Sequence, residues 1–363
     1  MKKLFIGLLL ALTLVACGQQ QTAESYKFGA VLPLTGTNAF YGDFAKAGIA
    51  LAVEDLNAQG GINGRKVEII YEDSAGDKSR ATTAAQKLIN IDGVSGIVTV
   101  TTPMGGAIAP VAEENKIPFI YASATNSFTT NKTYVFKDFP DAADLCQQLM
   151  RQALKDGNTH IALFGTNAEF TQLCKQGAEQ IHPLEIFQTY DSGETDFRTQ
   201  FTKIQSTEST ALILSAFSTD CLNAYKQIKE LQIKATLYIP YQSFACGSDV
   251  NTNANKDVLT HAHGADLALD PESTEPKFVA LKKRLEAKGW TTQIRGSALM
   301  YDDITMLAHA YQGCNDDKTC AANNIRSITN YNGVSGTLTF GGKQTIHRDV
   351  MLTTFNGDKW VKV

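Results

Sequence analysis

The sequence predicts an α/β protein of two parallel sheets, each with helices on both faces. Three observations carry that prediction. Short strand-like runs alternate with helix-period segments from Phe28 to Val100, and the same alternation resumes from Ile161 to Pro240. The chain has 363 residues, 43% of them hydrophobic, enough for two domains with cores of their own.

In the first series Phe28 to Leu32 reads as a strand, Asp43 to Asn57 as a helix and Lys66 to Tyr71 as a strand. Lys78 to Ile91 then reads as a helix and Gly96 to Val100 as a strand. Gly60 and Gly61 stand where the first helix needs a left-handed C-cap, and Asn63-Gly64 predicts a tight turn into the next strand. Val135 to Asp141 is extended and suits a crossover, with Asp141 placed to N-cap a helix carrying Leu145 and Leu149. The second series has strands at Ile161 to Gly165, Glu185 to Gln188, Leu212 to Ser215 and Leu237 to Pro240, with helices after Glu169 and through Tyr225 to Leu231. Helical periodicity returns at Phe278 to Ala287 and Ala298 to Tyr311, and Gly336 to Phe340 and Val350 to Val363 read as closing strands.

Residues 1 to 16 read as a signal peptide, because Lys2 and Lys3 precede an apolar run from Leu4 to Val15 that is short for a membrane span. The run ends in Leu-Val-Ala-Cys, which resembles the bacterial lipobox, whose cysteine is acylated. Cys17 is therefore the expected lipid anchor, placing the mature chain in the periplasm or at the cell surface, tethered by lipid alone. Residues 17–25 are polar and read as a flexible tether. Both leader lysines leave with the signal, so the formal charge moves from −4 to −6, which gives no reason to expect nucleic acid.

Six cysteines remain beside Cys17, an even number that in an exported protein argues for disulfides. Cys314 and Cys320 flank a short polar loop whose closure costs little entropy and are the first expected pair. Cys146 with Cys174, and Cys221 with Cys246, are the remaining candidates. No pair has the Cys-x-x-Cys spacing that zinc sites favour.

Several segments resemble the type I periplasmic binding proteins, specifically the branched-chain amino acid binding family of ABC-importer receptors. The residues that carry the resemblance are Gly29 to Gly36, Tyr41-Gly42-Asp43, Gly48 to Gly64, Ile117 to Ile120, Tyr301-Asp302 with Leu307-Ala308, and Gly336 to Phe340. The resemblance implies two doubly wound lobes joined by three crossover strands and closing on one small ligand, with an ABC permease as partner, no cofactor and a monomeric receptor. It divides the chain into lobe 1 at residues 26–143 and 268–340, and lobe 2 at 144–267 and 341–363.

Ligands of open parallel sheets sit beyond the carboxyl ends of the strands, where helix N-termini present unpaired amides. Thr101 to Gly106 follows such a strand. Thr102 is placed to N-cap, Pro103 suits the first helical position, and the two glycines leave the amides uncovered, which reads as a carboxylate cradle or equally as an ordinary capped helix start. The resemblance further places ligand contacts at Ser123 and Thr125, with the Thr125 hydroxyl on the ligand carboxylate, and an aromatic wall at Tyr41. From lobe 2 it implies contacts at Phe170, Phe217 and Gln242. Family members that bind amino acids usually offer an acid near Gln242 to pair with the ammonium, and no carboxylate follows here before Asp249. Phe170 also stands where a tyrosine is common.

His261 and His263 lie on one side of an extended segment without a third metal ligand nearby. Asp302-Asp303 reads as a helix start, where acids favour the dipole, and Glu72, Asp73 and Asp77 lack the spacing of a twelve-residue calcium loop. There is no Gly-x-Ser-x-Gly elbow, no phosphate loop and no spacing that selects a triad, so no enzyme activity is expected; a lipoprotein hydrolase is the remote third reading. The expected function is capture of a small polar or zwitterionic ligand, an amino acid or a related amide or peptide. The alternative is a lipoprotein that uses the same fold as a regulatory protein-interaction module.

Overall fold

A computed structural model describes residues 25–36, 38–191, 193–217, 219–241 and 255–363. The leader, Cys17, Gln242 and Cys246 lie outside the described residues. No described helix is long and apolar enough to cross a membrane.

Strands β1 (Tyr26–Leu32), β2 (Val67–Asp73), β3 (Gly96–Val100), β4 (Phe119–Ala122) and β5 (Val135–Lys137) form an all-parallel sheet in the order β2-β1-β3-β4-β5. Successive side chains alternate between two cores, as period 2 requires of a sheet covered on both faces. Phe28, Ala30 and Leu32 enter the core lined by α1 (Ala39–Ala58), whereas Val31 packs with residues of α2 (Lys78–Asn90) and α3 (Thr102–Glu114). The expected turn forms: Ile62 and Arg65 exchange backbone hydrogen bonds of 2.9 Å across Asn63 and Gly64, both at positive φ.

The second sheet runs β14-β13-β10-β9-β8-β6-β7, built from β6 (Ile161–Thr166), β7 (Ile186–Tyr190), β8 (Ala211–Ser215), β9 (Thr236–Pro240), β10 (His263–Leu267), β13 (Val350–Phe355) and β14 (Trp360–Lys362). It departs from the all-parallel expectation at one edge, where β13 is antiparallel to β10 and β14 to β13. The chain re-enters this edge from the other sheet without a helical crossover, so its direction is reversed. Helices α4 (Ala142–Lys155), α5 (Glu169–Glu179), α6 (Arg198–Gln205) and α7 (Thr219–Glu230) belong to this half.

Between β10 and β13 the chain returns to the first sheet as α8 (Pro276–Ala287), α9 (Ile294–Ala310) and α10 (Lys318–Ser327). Helix α9 lies so close to α1 that a Cβ on Gly48 would meet the Ser297 carbonyl oxygen at 1.9 Å. The closing strand expected at Gly336 to Phe340 shrinks to β12 (Thr337–Leu338), paired only with β11 (Tyr331–Asn332). Cys146–Cys174 ties α4 to α5 and Cys314–Cys320 closes the turn into α10. Cys221 is disulfide-bonded as well, and its expected partner Cys246 falls outside the described residues.

The segments that pass between the sheets are laced together. Lys137 N donates to the Gln344 carbonyl at 2.8 Å, Ile346 N to the Lys137 carbonyl at 3.0 Å, and Ala268 N to the Asp349 carbonyl at 3.0 Å. Beneath them Arg348 grips Asp138 through Nε and a terminal nitrogen, both at 2.6 Å, and its other nitrogen reaches Ser335 Oγ at 3.0 Å. Asp302 and Asp303 join this buried cluster, which corrects the expected helix start: both sit in mid-α9, fully buried. Asp302 accepts from Val334 N and Ser335 N at 2.8 Å and from the Ser335 hydroxyl. Burial pushes its carboxyl up to about 6, against the pull of Ser335 and Arg348. Asp303 is raised well above the ordinary carboxylate range by burial and by the charge of neighbouring Asp138. Asp141 is the N-cap residue of α4, but its side chain does not cap; it takes Lys137 Nζ at 2.7 Å and the Asn126 amide. A buried ammonium outbids a backbone amide for a carboxylate.

Candidate functional site

Each sheet reverses its strand order once, between β1 and β3 in the first and between β6 and β8 in the second, and at such a switch point the flanking loops part to leave a crevice. The two crevices open onto one cleft of about 1190 Å³. Its walls include Tyr41 of α1, Thr101, Thr102 and Met104 after β3, and Ser123 after β4. The second sheet supplies Asn167, Glu169 and Phe170 after β6, Phe217 and Asp220 after β8, and Tyr241 after β9.

Helix α3 begins at Thr102, so Thr101 rather than Thr102 is its N-cap residue, and neither offers a side-chain cap. Thr101 holds φ 81°, a strained backbone for a β-branched residue, and its carbonyl accepts from Gly105 N at 3.0 Å. Pro103 contributes no N–H, and the first-turn amides of Thr102 and Met104 have no acceptor within the helix. The glycines serve another purpose than the one expected: a Cβ on Gly106 would lie 2.7 Å from the Phe128 ring, and one on Gly105 would lie 3.0 Å from Tyr121. They admit two aromatic rings behind the cradle.

Ser123 lines the cleft at 2% exposure, and its hydroxyl has no hydrogen-bond partner among the described residues. A buried hydroxyl left unpaired costs on the order of 1–3 kcal/mol, a cost that a polar group placed opposite it would remove. Thr125 stands differently from its expected role. It is 1% exposed and outside the cleft wall, with Oγ1 3.0 Å from Glu169 Oε1. Ser127 Oγ donates to the same carboxylate oxygen at 2.8 Å. The Thr125 hydroxyl thus helps join the two halves instead of facing the ligand space, because a buried hydroxyl takes the nearest strong acceptor.

Aromatic rings line much of the rest. Phe170 meets Phe217 edge-on at 5.1 Å and Tyr241 at 5.6 Å, while Phe139 from the crossover lies 4.4 Å from Tyr241. Across the cleft the Tyr41 ring lies tilted against Phe40 at 4.1 Å and meets Phe44 edge-on at 5.8 Å. Burial raises the Tyr41 hydroxyl above its ordinary value, so it stays a neutral donor. Phe139 and Asp220 escaped the sequence reading, whereas Tyr241 lies in the loop expected to contribute beside Gln242. The signal for Asp220 was its place at the first turn of a helix following a predicted strand.

Among the described residues the histidine pair belongs to no cluster of three metal-ligating side chains. His261 has φ 64° and precedes the strand, whereas His263 stacks on Tyr238 at 5.3 Å with Nε2 3.1 Å from Asp156. The acids near β2 are structural: Asp73 accepts from Leu34 N and Ala75 N at 2.8 Å, Asp77 caps α2 through Arg80 N, and Glu72 pairs with Lys87.

Two doubly wound sheets opening onto a shared cleft are the architecture of a two-lobed binding protein. Residues 25–359 match the periplasmic binding protein family, and the chain belongs to it. It is 30% identical over 158 residues to Leu/Ile/Val-binding protein homolog 8 of Brucella suis, a segment that covers 43% of this chain and 39% of that relative. The chain is 23% identical over 333 residues to Leu/Ile/Val-binding protein homolog 3 of Brucella melitensis, covering 86% of each. Its fold superposes on the LivJ substrate-binding protein of Streptococcus pneumoniae, crystallised with isoleucine, with a TM-score of 0.84 at 18% identity over 93% of this chain and all of that one. A benzoate-bound solute-binding protein of an ABC transporter from R. palustris superposes with a TM-score of 0.81 at 17% identity, covering 93% of this chain and 95% of that one.

Proposed function

We propose that this chain is the solute receptor of an ABC importer, anchored outside the cytoplasm by lipid on Cys17. It captures a small polar or zwitterionic ligand between a lobe of residues 26–143 and 268–340 and a lobe of residues 144–267 and 341–363. The observation that carries this reading is the buried, unpartnered Ser123 hydroxyl beside the open amides of α3, in a cleft walled by both sheets. These groups suit a carboxylate or a carbonyl oxygen, and the aromatic wall suits an apolar body. Ligand bridging both halves would stabilise the closed form, whose surface a permease recognises.

A thermal-shift screen of amino acids, amides and small peptides tests the reading. A receptor gains stability with one ligand class, since a ligand at a hundred times its Kd contributes about 2.7 kcal/mol. Ser123→Ala should weaken that ligand and leave the melting of the free protein nearly unchanged. Thr125→Ala should act on closure, lowering affinity through the lost Glu169 contact. Silence across the whole screen would favour a protein-interaction module. Cys17→Ala should move the protein from the membrane to the soluble fraction.

A further inference from the structure

Among the described residues the cleft is lined by three carboxylates, Glu169, Glu194 and Asp220, and one ammonium, Lys78. Among the described residues each of the three accepts a hydrogen bond and none is paired with a cation. Glu169 takes the Thr125 and Ser127 hydroxyls, and Glu194 Oε2 accepts from Asp191 N at 2.6 Å. Asp220 is half-buried at the first turn of α7 and receives one hydrogen bond on its carboxylate, from Tyr190 at 3.0 Å. Among the described residues no lysine, arginine or histidine pairs with it, and burial raises its carboxyl above the ordinary range. Its backbone N–H reaches the Phe217 carbonyl at 3.1 Å, which fixes it beside the Phe217 and Phe170 rings. A half-buried carboxylate lacking a cation, next to aromatic faces, is an environment that favours a positively charged nitrogen. Independently, the unpartnered Ser123 hydroxyl points to a polar ligand group in the same cleft.

Resting on the receptor reading above, we infer that Asp220 is the counter-ion for a cationic nitrogen of the ligand, so that the cleft selects amines over their deaminated counterparts. The amides of α3 and Ser123 take the oxygen end, and Asp220 replaces the acid that the loop after β9 lacks before Asp249.

Calorimetry on the mature protein with matched probes tests this: L-phenylalanine against 3-phenylpropionate, and L-leucine against 4-methylpentanoate. At least one amine should bind, with its partner lacking that cationic nitrogen tenfold or more weaker. Asp220→Asn should lose tenfold or more in affinity for that amine with an unchanged far-ultraviolet spectrum, and Asp220→Glu should recover part of it. The comparison of probes on the unaltered protein stands even where a variant misfolds. Equal binding of the partner lacking the cationic nitrogen, or full affinity in Asp220→Asn, overturns the counter-ion assignment and leaves the receptor reading intact. No binding by any probe overturns the counter-ion assignment, and the receptor reading falls only if the wider screen of amides and peptides is silent as well.

Discussion

Removing Arg348 exposes how the segments between the sheets are held. Arg348 is 7% exposed and Asp138 fully buried, and they share two charge-assisted hydrogen bonds of 2.6 Å, with Ser335 as a third partner. Arg348→Met keeps most of the aliphatic stem but strands a buried carboxylate beside Asp302 and Asp303, a loss of about 3–5 kcal/mol by analogy with other broken buried pairs. Urea unfolding followed by tryptophan fluorescence at pH 7 should report that loss. Adding Asp138→Asn should return at least half of it, because the second change removes the orphaned charge. The deficit should also narrow on acidification, when a proton can do what the guanidinium did. A deficit below about 1 kcal/mol at pH 7, or an additive double variant, would refute the claim that this ion pair clamps the crossing segments.

Three further outcomes follow from the same structure. Gly48→Ala should destabilise by about 1–3 kcal/mol or more in denaturant titration, since its new Cβ would sit 1.9 Å from the Ser297 carbonyl oxygen and force α1 from α9; a neutral result would mean that the helices separate freely. Replacing Cys146 and Cys174 together by serine should cost about 3–4 kcal/mol, against about 2 for Cys314 and Cys320, because the loops closed are 28 and 6 residues apart in sequence; equal costs would reject the chain-entropy account. Asp302 titrates near 6 when folded against an ordinary 3.8, so its contribution to stability is full below about 4 and declines as pH rises through 6, by about 3 kcal/mol at most. Asp302→Asn should flatten that part of the stability profile, and an unchanged slope would assign it to other groups.

Most of the strand and helix order was legible in the chain, because hydrophobic period is a local property and is strong in long amphipathic elements. Helices α6 and α10 were not, since α6 buries only Phe201 and Ile204 and α10 only Ala321, Ala322 and Ile325. The site was legible as a set of loops after strands, and Tyr41, Thr101, Thr102, Ser123, Phe170 and Phe217 all line the cleft. The role of each side chain was less so. The family resemblance implied that Thr125 is a ligand contact, yet its hydroxyl meets Glu169, 44 residues further on.

Alternation, turn chemistry and cysteine parity were settled by neighbours within a few residues, which is why Asn63-Gly64, Pro103 and the Cys314–Cys320 loop could be recognised before any folding was considered. Only the folded chain decided that Asp302 and Asp303 are buried against Arg348, that β13 runs against β10, and that Asp220 faces the cleft without a cation. Those features depend on groups that are remote in sequence and meet when two sheets and their crossing segments come together. Desolvation and charge pairing act on three-dimensional surroundings, which a local pattern does not encode.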